Sequence, residues 1–178
     1  EMIEYPAMSE PITLYTWIDE VGRLFTSRCF ELADSNGKTF GYARSIWAAI
    51  DVETRRPTLL DVAGLSSYIT ERSCPIEKPG KIAAAESESE GIPYSIKYSD
   101  LDINGHLNSI KYMEHLLDLF DIGMFREKEI GRFEIAYQSE GKYGMELTLH
   151  NQEVSEGKYN MAICNDGKAI CRAAVTWT

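Results

Sequence analysis

Apolar and polar residues alternate from Tyr94 to Ser99, with Tyr94, Ile96 and Tyr98 set against Ser95, Lys97 and Ser99. The alternation stops at Asp100, and apolar residues then recur at Leu107, Ile110, Met113, Leu117 and Phe120. A period of 2 giving way to one of about 3.6 predicts a strand that runs into a helix. Asn104 is the expected N-cap of that helix, and Gly105 eases the turn into it. Because the helix is apolar on more than one face, it is expected to be widely covered by a sheet.

Two other stretches read as antiparallel meanders. From Ile12 to Asp51 the runs ITLYTWI, RLFTSRCFEL and TFGYARSIWAAID are divided by turn signals, the clearest being Asp34-Ser35-Asn36-Gly37. Residues 129–178 follow the same plan, with Asn165-Asp166-Gly167 before the last strand. Gly37-Lys38, Ala43 and Trp47 fall 130 residues before Gly167-Lys168, Ala173 and Trp177, which points to two copies of one module. The second copy has a strand and helix ahead of its meander that the first lacks. Residues 1–58 therefore read as the C-terminal strands of a first domain truncated at its N-terminus, and 92–178 as a second domain. The stretch 59–91 between them reads as a linker, with patchy helical spacing over Leu59–Glu71 and an acidic run from Ala83 to Glu90. The expected fold class is α+β, a long antiparallel sheet wrapped around a central helix.

Composition narrows the function. A chain of 178 residues with 44% apolar residues can bury a proper core. Its 28 acidic against 18 basic residues give a formal charge of −10, which argues against nucleic acid and anionic membranes as general partners. No apolar run approaches the ~18 residues that span a bilayer, and no N-terminal stretch resembles a signal peptide, so the cytosol is the expected compartment. The chain opens on Glu1, which reads as a fragment or a processed chain. Four cysteines without a CxxC pair are expected to be reduced and mostly buried, Cys171 in the core.

No GxSxG, phosphate loop, GxGxxG or HExxH is present, so nucleophile-elbow hydrolases, P-loop enzymes and zincins have no foothold. What remains is Asp102, Asn104 and His106 at the strand-to-helix junction. Alternate residues on an extended segment point one way, so all three side chains are expected to face one cavity. An imidazole shuttles protons near neutral pH, a carboxylate orients it, and an amide holds a water or a carbonyl oxygen. The same residue types also serve as caps, Asn104 for helix amides and Asp102 for an Asx turn, and residue types alone leave both readings open. Asn108 and Tyr112, each one turn further on, extend the polar stripe beyond what capping requires. His115 and His150 read as structural, and Trp47 and Trp177 as core or inter-module packing.

The stretch SDLDINGHLNSIKY, residues 99–112, resembles the D-x-N-x-H-x-N-x-x-Y motif of hotdog-fold thioesterases, most closely that of the fatty acyl-ACP thioesterases of plants and bacteria. The family's following Y-x-x-E-C sequence is matched by Tyr137-Gln138-Ser139-Glu140-Gly141. PITLYTW, FEL, ARSIW and TRRP look like the family's first domain, so the resemblance covers nearly the whole chain. It implies a tandem hotdog fold and a catalytic set of Asp102, Asn104, His106 and Glu140. Glu140 would act as base on a water or as direct nucleophile, Asn104 and His106 would position the attacking group, and Asp102 would orient the pair. Amides at the start of the helix near His106 would hold the thioester oxyanion. The cysteine once proposed as nucleophile falls at Gly141, which excludes a thiol mechanism here.

The activity so implied is hydrolysis of fatty acyl-ACP to free fatty acid, without metal or organic cofactor. The implied partner is acyl carrier protein, which Arg55 and Arg56 would meet as a local basic face. The resemblance admits a homodimer, and a plant source would place the chain in the plastid stroma. The rivals are an acyl-CoA thioesterase of the same fold, a hotdog dehydratase, which the Asn-rich motif fits poorly, and a non-catalytic acyl-thioester-binding hotdog protein.

Overall fold

Alternating β-branched and aromatic residues make the first sheet: β1 (Thr13–Val21), β2 (Phe25–Ala33) and β3 (Thr39–Ala48), antiparallel and in the order β1-β2-β3. The computed structural model describes residues 1–54, 56–83, 85 and 91–178, in two units, Glu1–Pro79 and Gly80–Thr178. Arg55 and most of the acidic run, residues 84 and 86–90, lie outside the described residues.

In the first unit the β2–β3 turn is held by Asp34, whose carboxylate accepts the amides of Asn36 and Lys38, each at 2.8 Å, while Gly37 takes φ +85°. One face of β2 buries Ser27, Cys29, Glu31 and Ala33. Polar groups on that face are partnered. Arg44 pairs with Asp19 and donates to Ser27 at 3.2 Å, and Arg72 pairs with Glu31 while lying 4.5 Å from the Trp17 ring centre. Residues after the meander return along the sheet: Leu60 donates to Arg23 O at 2.9 Å and Thr70 to Ile18 O at 3.2 Å. Between them α1 (Val62–Ser66) is capped by Asp61, which accepts the Gly64 amide at 3.1 Å. A groove of about 570 Å³ is lined by Ile18, Phe30, Trp47, Ala49, Leu60 and Leu65 among others. Of the two readings given for Trp47, the core one does not hold: the side chain is 59% exposed at this groove.

The second unit carries a five-stranded antiparallel sheet. Its strands are β4 (Ile92–Ser95), β5 (Ile130–Tyr137), β6 (Glu146–Ser155), β7 (Lys158–Asn165) and β8 (Lys168–Trp177), in the order β4-β6-β7-β8-β5. Asp166 (φ +49°) and Gly167 (φ +73°) form the two-residue β7–β8 turn, a conformation in which both residues are left-handed. Across one sheet face lies α2 (Ser109–Leu117), followed by the short α3 (Met124–Glu127). Leu116, Met161, Ile163, Cys171, Ala173 and Val175 are almost fully buried between helix and sheet. Trp177 closes this core with its ring 5.1 Å from Phe120, and Cys171 is core as expected. The unit is thus α+β, one helix on a long antiparallel sheet. No helix among the described residues is long and apolar enough to cross a membrane.

The junction ahead of α2 differs from the expected direct passage of strand into helix. The strand ends at Ser95, a 3₁₀ turn occupies Tyr98–Asp100, and α2 begins only at Ser109. Asn104 is not the cap. Asn108 is, its side chain accepting the Ile110 amide at 2.9 Å. The later start rotates the buried stripe to Tyr112 and Leu116, leaving Ile110 53% exposed, so one helix face meets the sheet rather than several.

Candidate active site

The segment bearing Asp102, Asn104 and His106 is a tight loop, not an extended run. Asp102 donates its amide to His106 O at 2.8 Å, Gly105 donates to Asp102 O at 3.0 Å, and Asn108 donates to Asp100 O at 2.8 Å. Gly105 supplies the φ of +75° that this turn requires. The Asp102 carboxylate accepts the amides of Asn104 at 2.8 Å and His106 at 3.1 Å. These bonds, with the Asn104 side chain also on Asp102, hold its carboxyl below the usual carboxylate range. Asp102 therefore shapes the turn, and the three side chains do not line up along one extended face.

A second loop, residues 138–145 between β5 and β6, runs alongside. Leu107 donates to Gly141 O at 2.9 Å, and His106 pairs in β-bridge fashion with Lys142. This pairing brings His106 Nε2 to 3.3 Å from Glu140 Oε2. Both side chains stay open to solvent, 30% and 46% exposed, so a water and a substrate carbonyl can reach them. Of the four candidate residues, His106 and Glu140 are in direct contact across the two loops, and Asp102 and Asn104 share the turn that carries His106.

The amides of His106, Leu107, Asn108 and Ile110 already donate within the protein. Loop closure and the Asn108 cap engage these four amides.

Sequence reading passed over Asp100, treating it only as the end of an alternation. It is 3% exposed and anchors the base of the loop. Its Oδ2 accepts the Tyr94 hydroxyl at 2.6 Å and the Lys97 amide at 2.8 Å, and its Oδ1 lies 3.5 Å from His115 Nε2. The His115 ring packs on Tyr94 with centroids 4.1 Å apart. Burial pushes the Asp100 carboxyl up, but the Tyr94 and Lys97 hydrogen bonds and nearby His115 outweigh it and hold the group below its ordinary range. Burial first, then Asp100, pushes the Tyr94 hydroxyl up to about 12, so it stays a donor at neutral pH. The sequence signal was a second acidic residue two positions before Asp102.

A side chain at Gly141 has no room. A Cβ there would lie 2.8 Å from Ile96 Cδ1 and 3.0 Å from Leu107 Cβ. Burial raises the Cys171 thiol to about 12, away from the thiolate form a nucleophile needs. Among the described residues, no three His, Cys, Asp or Glu side chains converge as a metal site would require.

Residues 83–178 match the family model described as the acyl-ACP thioesterase C-terminal domain, and residues 1–62 match that of the N-terminal domain. The chain belongs to the acyl-ACP thioesterase family. An acyl-ACP thioesterase from Bacteroides thetaiotaomicron is 43% identical, with a TM-score of 0.88 over 94% of this chain and 68% of that one. The 12:0-ACP thioesterase from Umbellularia californica is 19% identical and shares the fold, with a TM-score of 0.82 over 99% of this chain and 71% of that one. A chloroplastic acyl-[acyl-carrier-protein] hydrolase of Cuphea viscosissima is 26% identical over 149 residues, 79% of this chain and 36% of the relative. A chloroplastic palmitoyl-acyl carrier protein thioesterase of Arabidopsis thaliana is 25% identical over 77% of this chain and 35% of the relative. The chain thus spans about a third of the length of these two curated relatives.

Proposed function

We propose that the protein hydrolyses fatty acyl thioesters carried on acyl carrier protein, releasing free fatty acid and carrier thiol, with Asp102, Asn104, His106 and Glu140 as the working set. The observation that carries this reading is the 3.3 Å approach of His106 Nε2 to Glu140 Oε2 at a solvent-open junction of two loops. Glu140 takes a proton from a water as the water oxygen bonds to the thioester carbonyl carbon. Asn104 and His106 hold the carbonyl oxygen as it gains charge, and Asp102 keeps His106 in place through the turn. Collapse of the tetrahedral intermediate breaks the C–S bond, and the proton held by Glu140 passes to the leaving sulfur. An acyl-Glu140 adduct trapped by mass spectrometry would instead make the carboxylate a direct nucleophile.

The proposal extends to the architecture. Residues 1–58 and 92–178 are read as belonging to two hotdog domains joined by 59–91. Support comes from the paired left-handed glycines, Gly37 and Gly167, each before the last strand of its sheet and 130 residues apart. The apolar groove of the first unit, with Phe30 and Trp47 in its wall, is suited to an acyl chain. The reading carries acyl carrier protein as partner and neither nucleic acid nor membrane. It admits a homodimer and places the protein in the cytosol, or in the plastid stroma of a plant.

Single-turnover hydrolysis of one acyl group on carrier protein and on CoA, by wild type and Glu140→Gln, tests it. Faster turnover of the carrier-bound substrate, lost in Glu140→Gln, is expected. Preference for CoA would make the protein an acyl-CoA thioesterase, and binding without turnover would make it an acyl-thioester-binding protein.

A further inference from the structure

Tyr112 lies on the buried face of α2 at 3% exposure, yet its hydroxyl is fully used by the loop that carries Glu140. It donates to Ser139 O at 3.2 Å and accepts the Gly141 amide at 2.8 Å. Those two groups belong to the residues immediately before and after Glu140, so one oxygen grips the backbone on both sides of that carboxylate. Gly141 O in turn accepts the Leu107 amide, next in chain to His106. A second tie runs nearby: Tyr137, its ring 5.3 Å from that of Tyr112, donates its hydroxyl to Ser109 O at 3.1 Å, an acceptor on α2 and not in the loop of Glu140.

We infer that Tyr112 is a positioning residue, setting the height and direction of Glu140 against His106 through the two residues that flank it. This rests on the assignment of Glu140 in the proposed function. The requirement is geometric. The Glu140 side chain is 46% exposed where it meets His106, and the backbone on both sides of it is held by the Tyr112 hydroxyl. A hydroxyl that both donates and accepts fixes that backbone in two directions, which a one-way contact cannot do. Burial raises the Tyr112 hydroxyl above its ordinary range, more than the Gly141 amide lowers it, so the donor persists through the working pH.

The test compares Tyr112→Phe, Tyr137→Phe, Glu140→Gln and the Tyr112→Phe/Glu140→Gln double variant in the full-length protein, using the acyl-ACP that wild type turns over fastest. Expected is a fall in kcat of about 10- to 100-fold in Tyr112→Phe with KM little changed, since a misplacement on the order of 1 Å costs that much. Tyr137→Phe, which loses a hydroxyl from a side chain that is 48% exposed, should stay within about threefold of wild type. The double variant should be no slower than Glu140→Gln, because residues acting as one unit are not additive. If Tyr112→Phe loses its native melt, p-aminophenylalanine at 112, whose amino group still donates to Ser139 O and accepts weakly from the Gly141 amide, should fold and recover part of the rate. Wild-type rates in Tyr112→Phe, equal losses in both Phe variants, multiplied losses in the double variant, or a folded but inactive p-aminophenylalanine protein would each overturn the inference. Loss in Glu140→Gln with none in Tyr112→Phe overturns it alone. Near-normal turnover by Glu140→Gln removes the functional reading and this inference together.

Discussion

The Tyr94 hydroxyl sits 2.6 Å from Asp100 Oδ2, the shortest link in the clamp beneath the loop that carries His106. Asp100→Asn is therefore expected to destabilise the protein by about 1–3 kcal/mol at pH 7, the usual cost of spoiling a buried charge-assisted hydrogen bond. The sign of its pH dependence follows from the direction of the shift. The folded carboxyl is held below its ordinary value, so its contribution is fully present above the unfolded value of about 3.9 and is lost as pH falls through the folded one. Urea unfolding of wild type and Asp100→Asn should differ clearly at pH 7 and converge as the medium is taken well below pH 4. A constant gap across that range would show that the charge is not what stabilises the clamp.

Asp102 gives a separable case. Its Oδ1 accepts two backbone amides of its own turn, a task an amide oxygen also performs. Asp102→Asn should keep most of the turnover, while Asp102→Ala, which leaves both amides without their acceptor, should lose about tenfold or more through displacement of His106. Steady-state rates of the two variants on one acyl-ACP decide it. Equal and severe losses would mean that the charge itself serves the reaction.

The groove of the first unit offers a third. Ala49 stands in its wall beside Trp47 and Leu60. Ala49→Phe would fill part of the space and should depress turnover of the longest acyl groups several-fold while sparing short ones, as volume changes in apolar pockets do at about 1–3 kcal/mol per group. Product chain-length profiles from mixed acyl-ACPs measure this. An unchanged profile would exclude the groove as the acyl site.

Strand positions were legible because period-2 patterning survives wherever one sheet face is buried, as in β2 with Ser27, Cys29 and Glu31 inward. Turns were legible for the same kind of local reason: Gly37 and Gly167 adopt the left-handed angles that the Asn-Gly and Asp-Gly sequences signalled. The helix phase was not. Leu107 is buried by the loop pairing of 107 with 141 rather than by α2, and counting it as helical displaced the whole stripe onto Ile110 and Met113. Cap identity failed likewise, since Asn104 and Asn108 are equally good caps in isolation and only the closure of Asp100 with Asn108 decides between them. The contact of His106 with Glu140 spans two loops, so no local pattern encodes it. It entered through the resemblance alone.

Gly141 brings the loop pairing and the chemistry together in one last prediction. A cysteine restored at this position, where the motif has one, would bring its Cβ to 2.8 Å from Ile96 Cδ1 and 3.0 Å from Leu107 Cβ. Neither neighbour yields easily, since Ile96 and Leu107 are 2% and 4% exposed. Gly141→Cys and Gly141→Ala should each cost about 1–3 kcal/mol by overpacking. Because Leu107 hangs on Gly141 O, the strain passes to His106 next door, and turnover should fall rather than rise. Thermal melts and acyl-ACP turnover of the two variants should move together, with Gly141→Cys insensitive to iodoacetamide. A cysteine variant that melts like wild type, works faster and is silenced by alkylation would show that this site accepts a thiol after all.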